Sequence, residues 1–189
     1  MGLFSNCKSW GVEEGEKELP FACDTSVSCL SDAYFRGITI NAAPETVFRW
    51  LCQMKIAPYS YDWIDNLGRQ SPRTLTPGAD QLALGQEFMF IFELREFTLN
   101  SAITIALPQK RLSKALFGEC AITYAIMPQA HSDSCRLLVK LALCYPAVPL
   151  GWLLKKILPI GDLIMMRKQL LTFKKLSEQE VFSSSKIQK

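Results

Sequence analysis

At 189 residues, 49% hydrophobic and 21% charged, the chain has the size and composition of one globular domain with an extension. Its net charge of +3 is too small to argue for nucleic acid as a partner. Seven cysteines without a C-x-x-C pair carry no zinc spacing, and the single histidine, His131, leaves no three-ligand catalytic metal site to build.

Residues 1–35 show no sustained period and hold six acids against two bases. Gly11, Gly15 and Pro20 break any helix there. The stretch reads as an N-terminal extension, partly disordered or loosely docked. No signal peptide is visible in it, and Asn6 stands where a myristoylation signal needs Ser or Thr. The cysteines read as reduced thiols, which suits a cytoplasmic protein.

Residues 37–41 (GITIN) alternate and read as a short strand. Pro44 and Glu45 then open a helix, proline fitting the first turn and glutamate the helix dipole. Val47, Phe48, Leu51 and Met54 form its apolar side. Residues 58–69 (PYSYDWIDNLGR) mix aromatics with acids and suggest a second short helical turn. Residues 71–84 carry Pro72, Pro77 and Gly78 and read as a loop.

Four strands follow, at 87–94, 98–107, 118–127 and 135–144. Phe88, Phe90 and Phe92 are expected on one face of the first. Cys120, Ile122, Tyr124 and Ile126 share a face of the third, and Leu137, Val139, Leu141 and Leu143 lie opposite Arg136 and Lys140 on the fourth. An antiparallel meander with one apolar and one solvated face is the natural reading. Residues 146–159 form an apolar, part-helical connector. Residues 161–176 then form an amphipathic helix whose stripe is Leu163, Met166, Leu170 and Phe173, with Asp162 in the first turn. This helix is the element long enough to cover the sheet. The uncharged run 141–154 is 14 residues long and broken by Pro146 and Pro149, too short to span a membrane. From 137 to 189 there are nine bases against three acids, so the connector and the basic end could contact an anionic membrane from one side.

The segment Ile38 to Leu51 (ITINAAPETVFRWL) resembles the opening strand and helix of the START-like, or Bet v 1-like, helix-grip superfamily. Residues 59–66 (YSYDWIDN) and 82–86 (LALGQ) are similar to its bacterial polyketide cyclase/dehydrase-like (SRPBCC) branch. Residues 123–128 (TYAIMP) and 166–170 (MRKQL) fit that branch's later strand and final helix. The resemblance spans about 36–177, leaving 1–35 as the extension and 178–189 as a tail. It implies an α+β helix-grip fold: a curved antiparallel sheet wrapped around a long C-terminal helix, with two short helices after the first strand. It also implies a cavity between sheet and helix, and no single activity.

Within that cavity the expected walls are Phe88, Phe90, Phe92, Tyr124, Met166 and Leu170, with Tyr61 and Trp63 near the entrance. The leading expectation is binding or transport of a small hydrophobic molecule, lipid or polyketide-like, without cofactor or metal. The alternatives are a cyclase or dehydratase using Asp62 or Glu119 as acid or base, and membrane-peripheral lipid transfer through residues 146–159. Against catalysis, Asp62 and Asp65 also read as caps for their turn, and Glu119 shares parity with Ala121 and Thr123, away from Tyr124. His131 reads as a loop residue between strands.

Overall fold

The computed structural model describes residues 7–108, 114, 118–129, 133–146 and 149–187. His131 lies outside the described residues. The chain opens with β1 (Ser9–Trp10), α1 (Glu14–Lys17) and a 3-10 turn (Ala22–Thr25), then enters β2 (Asp32–Ile40). Pro44 begins α2 (Pro44–Cys52), where its missing N–H costs nothing, and Val47, Phe48, Leu51 and Cys52 are all buried. A 3-10 turn (Gln53–Lys55) and α3 (Asp62–Asp65) follow. After a long connection come β3 (Glu87–Phe88), β4 (Phe92–Thr98), β5 (Ala102–Ala106), β6 (Glu119–Pro128), β7 (Cys135–Cys144) and α4 (Pro149–Ile187).

The strands form one sheet in the order β1-β2-β7-β6-β5-β4-β3, antiparallel throughout except for β1 against β2. Its inner face carries Tyr34, Ile40, Ile103, Ile122, Tyr124 and Val139. Met166, Leu170, Phe173 and Leu176 of α4 bury against that face together with α2. Each such side chain removed from water contributes about 2 kcal/mol, which is why the helical stripe and the strand alternation settle on one another. The α+β helix-grip architecture is present: a mostly antiparallel sheet packed on a long C-terminal helix, with short helices after the long N-terminal strand.

The outer face is not solvated, contrary to the expectation for a meander. Residues 12–27 lie across it, and Phe21 and Cys23 pack on Ala106, Ala121, Leu138 and Ala142. The strand residues beneath are mostly small, so the covering segment sits close to the sheet. At one point the backbones touch: a side chain on Gly11, which has φ +68, would meet the Gly37 carbonyl. Charge holds the cover in place. Arg136 reaches Glu16 at 2.7 Å, and Lys140 reaches Asp24 at 2.7 Å while lying over the rings of Phe21 and Phe35. Two of the six acids of the extension, Glu16 and Asp24, are thus partners for the two bases of β7.

Three further expectations need correction. The C-terminal helix begins at Pro149, not at 161, because Pro159 is accommodated inside it. A proline in a helix loses one backbone hydrogen bond and crowds the preceding turn, but packing on the sheet outweighs that cost here. Asp162 therefore sits in the middle of α4, far from the helix N-terminus. The run 87–94 is not one strand: Met89 and Phe90 take left-handed backbone angles (φ 47 and 66), and Glu87–Phe88 fold back to pair with Phe92–Glu93. Finally, Cys29 and Cys144 form a disulfide, with Cα atoms 5.3 Å apart. No helix among the described residues is long and apolar enough to cross a membrane.

Candidate ligand cavity

A cavity of about 510 Å³ lies between the inner face of the sheet and the first half of α4. Strands β6 and β7 supply its floor through Ile122, Tyr124, Leu141 and Leu143. Helix α4 supplies the roof through Leu154, Leu158, Met165 and Met166. The mouth is marked by Ile91 of the β3–β4 turn and Ile157 of α4, which both line the cavity and are exposed. Small-molecule sites share this composition, apolar walls with few polar groups.

The polar groups are held by one another. Tyr124 donates to Oε1 of Gln169 at 2.8 Å, and Nε2 of Gln169 donates to the Pro58 carbonyl at 2.6 Å, so one amide ties β6, α4 and the segment before α3. Ser60 donates to the Met165 carbonyl at 3.0 Å. Tyr145 shares a 2.6 Å hydroxyl contact with Tyr34 and lies 3.4 Å from Asp32. Asp162 accepts from Arg36 at 2.5 Å through Oδ2. Burial pushes the Asp162 carboxyl up to about 6, with the guanidinium offsetting part of that effect. Asp65 is also pushed up, first by burial and then by the nearby Asp62, while backbone amides and Ser60 act against the shift. The Asp65 Oδ1 is buried and has no hydrogen-bond partner.

Of the side chains singled out in the sequence, Phe92, Tyr124 and Met166 line the cavity. Leu170 is fully buried one turn beyond it, in the continuous core. Phe88 is also core, whereas Phe90 is 48% exposed, because the left-handed turn at Met89–Phe90 carries its ring off the strand face. Trp63 is 75% exposed on α3, and the Tyr61 ring lies 6.0 Å from the Lys168 ammonium; neither forms a wall. Asp62 caps its own loop, accepting from the Ser71 amide at 3.0 Å and from the Ser71 hydroxyl. Glu119 opens β6 and lines the cavity, but its carboxylate accepts from the Ser28 amide and hydroxyl and pairs with Lys114. Burial opposes the Glu119 charge, yet those contacts hold its carboxyl below the usual range.

Asp65, Glu119 and Asp162 all line the cavity, and because Ser28 and Lys114 hold the Glu119 carboxylate, Asp65 and Asp162 are the two that keep capacity toward the interior. In the sequence, Asp65 reads as a cap, or with Asp62 as a carboxylate pair three residues apart on a turn, and Asp162 reads as a dipole partner. An acid at an otherwise core-facing position of α4 was the available signal for Asp162. Gln169 offered a similar one, a polar residue beside Leu170 on the buried stripe.

No family model matches the sequence, and no curated protein matches it. Solved structures with a similar course of chain include a protein from Mesorhizobium loti (12% identity, 78% of this chain and 98% of that one, TM-score 0.49). A START superfamily protein from Mycobacterium smegmatis is also similar (16% identity, 78% and 97%, TM-score 0.47), as is a norcoclaurine synthase point mutant from Thalictrum (11% identity, 82% and 98%, TM-score 0.47). On its own strand order and helix packing, the chain has the helix-grip fold that its opening segments resemble.

Proposed function

We propose that the protein binds a small, largely apolar molecule in the cavity between β6, β7 and α4, as a carrier or sensor. The observation that carries this reading is a cavity of about 510 Å³ whose walls are mostly apolar side chains of the sheet and α4. Ile122 lies on its floor and is 3% exposed. Ile122→Trp should narrow the space by setting an indole across its floor. The variant should stay folded, with a melting temperature equal to or above the parent's, and should lose stoichiometric binding of the apolar dye Nile red. Undiminished dye binding by the folded variant would place the site elsewhere.

A second reading is peripheral contact with an anionic membrane, which would let a ligand pass through the mouth. Trp152, Leu153, Ile157, Ile160 and Ile164 are exposed along the first half of α4. Lys155, Lys156, Arg167 and Lys168 lie on the same helix, and Lys156 stacks over Trp152 at 3.7 Å. Apolar side chains interleaved with cations suit an interfacial helix. The protein should sediment with phosphatidylserine-containing vesicles at low salt, less so at high salt. Trp152→Glu should weaken the association. Equal sedimentation with purely zwitterionic vesicles would remove the electrostatic part of this reading.

The Cys29–Cys144 disulfide supports residence in a compartment that keeps thiols oxidised, against the cytoplasmic expectation. Acid-quenched thiol titration of protein from its own cells should find the five free cysteines only. Finding Cys29 and Cys144 also reduced would return the protein to a reducing compartment.

A further inference from the structure

The hydrogen-bonding capacity left inside the cavity is one-sided. Tyr124 has given its proton to Gln169, and Ser60 has given its proton to the Met165 carbonyl. The Gln169 amide nitrogen is engaged with the Pro58 carbonyl and the Met89 sulfur. What remains among the described residues is acceptor capacity. Asp65 has a buried, unpartnered Oδ1. Asp162, its side chain 10% exposed, is engaged by Arg36 through Oδ2, and Oδ1 has no partner among the described residues. The hydroxyl oxygens of Tyr124 and Ser60 keep a lone pair each. Tyr145 also lines the cavity, but its hydroxyl donates to Asp32 and meets Tyr34, so among the described residues the side-chain donor left on the walls is the thiol of Cys120, a weak one.

Cations do not change that balance. Arg36 backs Asp162 from behind the wall, and Lys155 covers the Tyr145 ring from outside at 5.3 Å. Neither lines the cavity. The two carboxylates lie on its α4 side: Asp162 is one helical turn before Met165 and Met166, and Asp65 neighbours Ser60, which is bonded to Met165. A buried acceptor without a donor is costly, and that cost is recovered when an occupant brings one.

We propose that the cavity selects apolar molecules whose polar head donates hydrogen bonds, an alcohol or an ammonium group, with Asp65 and Asp162 as the receiving groups. It discriminates against carboxylates and against heads that only accept. Free fatty acids are therefore excluded, although their chains suit the walls. A carboxylate head would meet two carboxylates and no wall-lining cation, and an ester would leave both acceptors unfilled. This inference rests on the cavity being the binding site.

The test uses four ten-carbon ligands on the full-length protein, each displacing Nile red: 1-decanol, decylamine, decanoate and methyl decanoate. Decanol, decylamine or both should bind at least tenfold tighter than decanoate and the methyl ester. A lead for decylamine alone would identify the charge of the carboxylates as the selecting feature; a shared lead would identify their acceptor atoms. Asp65→Asn and Asp162→Asn should each narrow the gap, weakening the donor heads and, because the new amide supplies N–H donors, leaving methyl decanoate bound at least as tightly as before. Equal binding of the ester and the donor heads, or a lead for decanoate, would overturn the head-group selection while leaving the cavity reading intact. If the parent binds Nile red without losing it on Ile122→Trp, the cavity reading itself falls, and the head-group proposal falls with it.

Discussion

Asp162 is the residue on which the interior electrostatics turn. Its carboxyl is raised to about 6 by burial, with Arg36 countering only in part. In an unfolded chain an aspartate titrates near ~3.9. The folded protein therefore holds this proton more tightly, so the group's contribution to stability is fully present below about pH 4 and is lost as pH rises to about 6. The loss is about 3 kcal/mol. Asp162→Asn keeps an acceptor for Arg36 and should remove this slope. Urea unfolding of parent and variant between those two pH values should show the parent alone losing stability from this source. Parallel curves would mean that Asp162 keeps an ordinary pKa through its ion pair. The carboxylate was visible in the sequence; its place was not, because Pro159 read as a helix stop and put Asp162 in a first turn.

Among the elements, α4 carries two roles along its length. From Met166 to Leu176 its apolar stripe is buried in the core, whereas from Leu154 to Met165 the same side faces the cavity. Loss of a backbone hydrogen bond at Pro159 falls within the second part. Amide exchange should therefore be faster over residues 153–164 than over residues 166–177, because local opening there breaks fewer buried contacts. Addition of a bound ligand should slow the first group and leave the second unchanged. Uniform protection along the helix would argue that the cavity is filled by packing. The stripe itself was legible from Leu163, Met166, Leu170 and Phe173, since steps of three and four need no tertiary information. The β3–β4 hairpin was not: alternation in EFMFIFEL is the same whether the chain runs straight or turns back, and the left-handed residues that turn it are Met89 and Phe90, neither a usual turn former.

For the molecule as a whole, the architecture was readable because strand parity and helix period point to one packing: β6 and β7 alternate correctly over ten residues each. What escaped was the second layer. Residues 12–27 have no period to read, since their role is set by the surface they cover: small alanines, Arg136 and Lys140. The disulfide escaped for a related reason: seven cysteines in no pattern do not reveal which two the fold brings together.

The bond between Cys29 and Cys144 closes a covalent ring through the chain. Every strand from β2 to β7 lies inside that ring, and α4 lies wholly outside it. The helix that roofs the cavity thus lies outside the tethered part of the molecule: drawn away from the sheet, it can peel off while the strands stay cross-linked. Opening the roof and unfolding the floor become mechanically separate events, which allows a ligand to leave without dismantling the surface that held it.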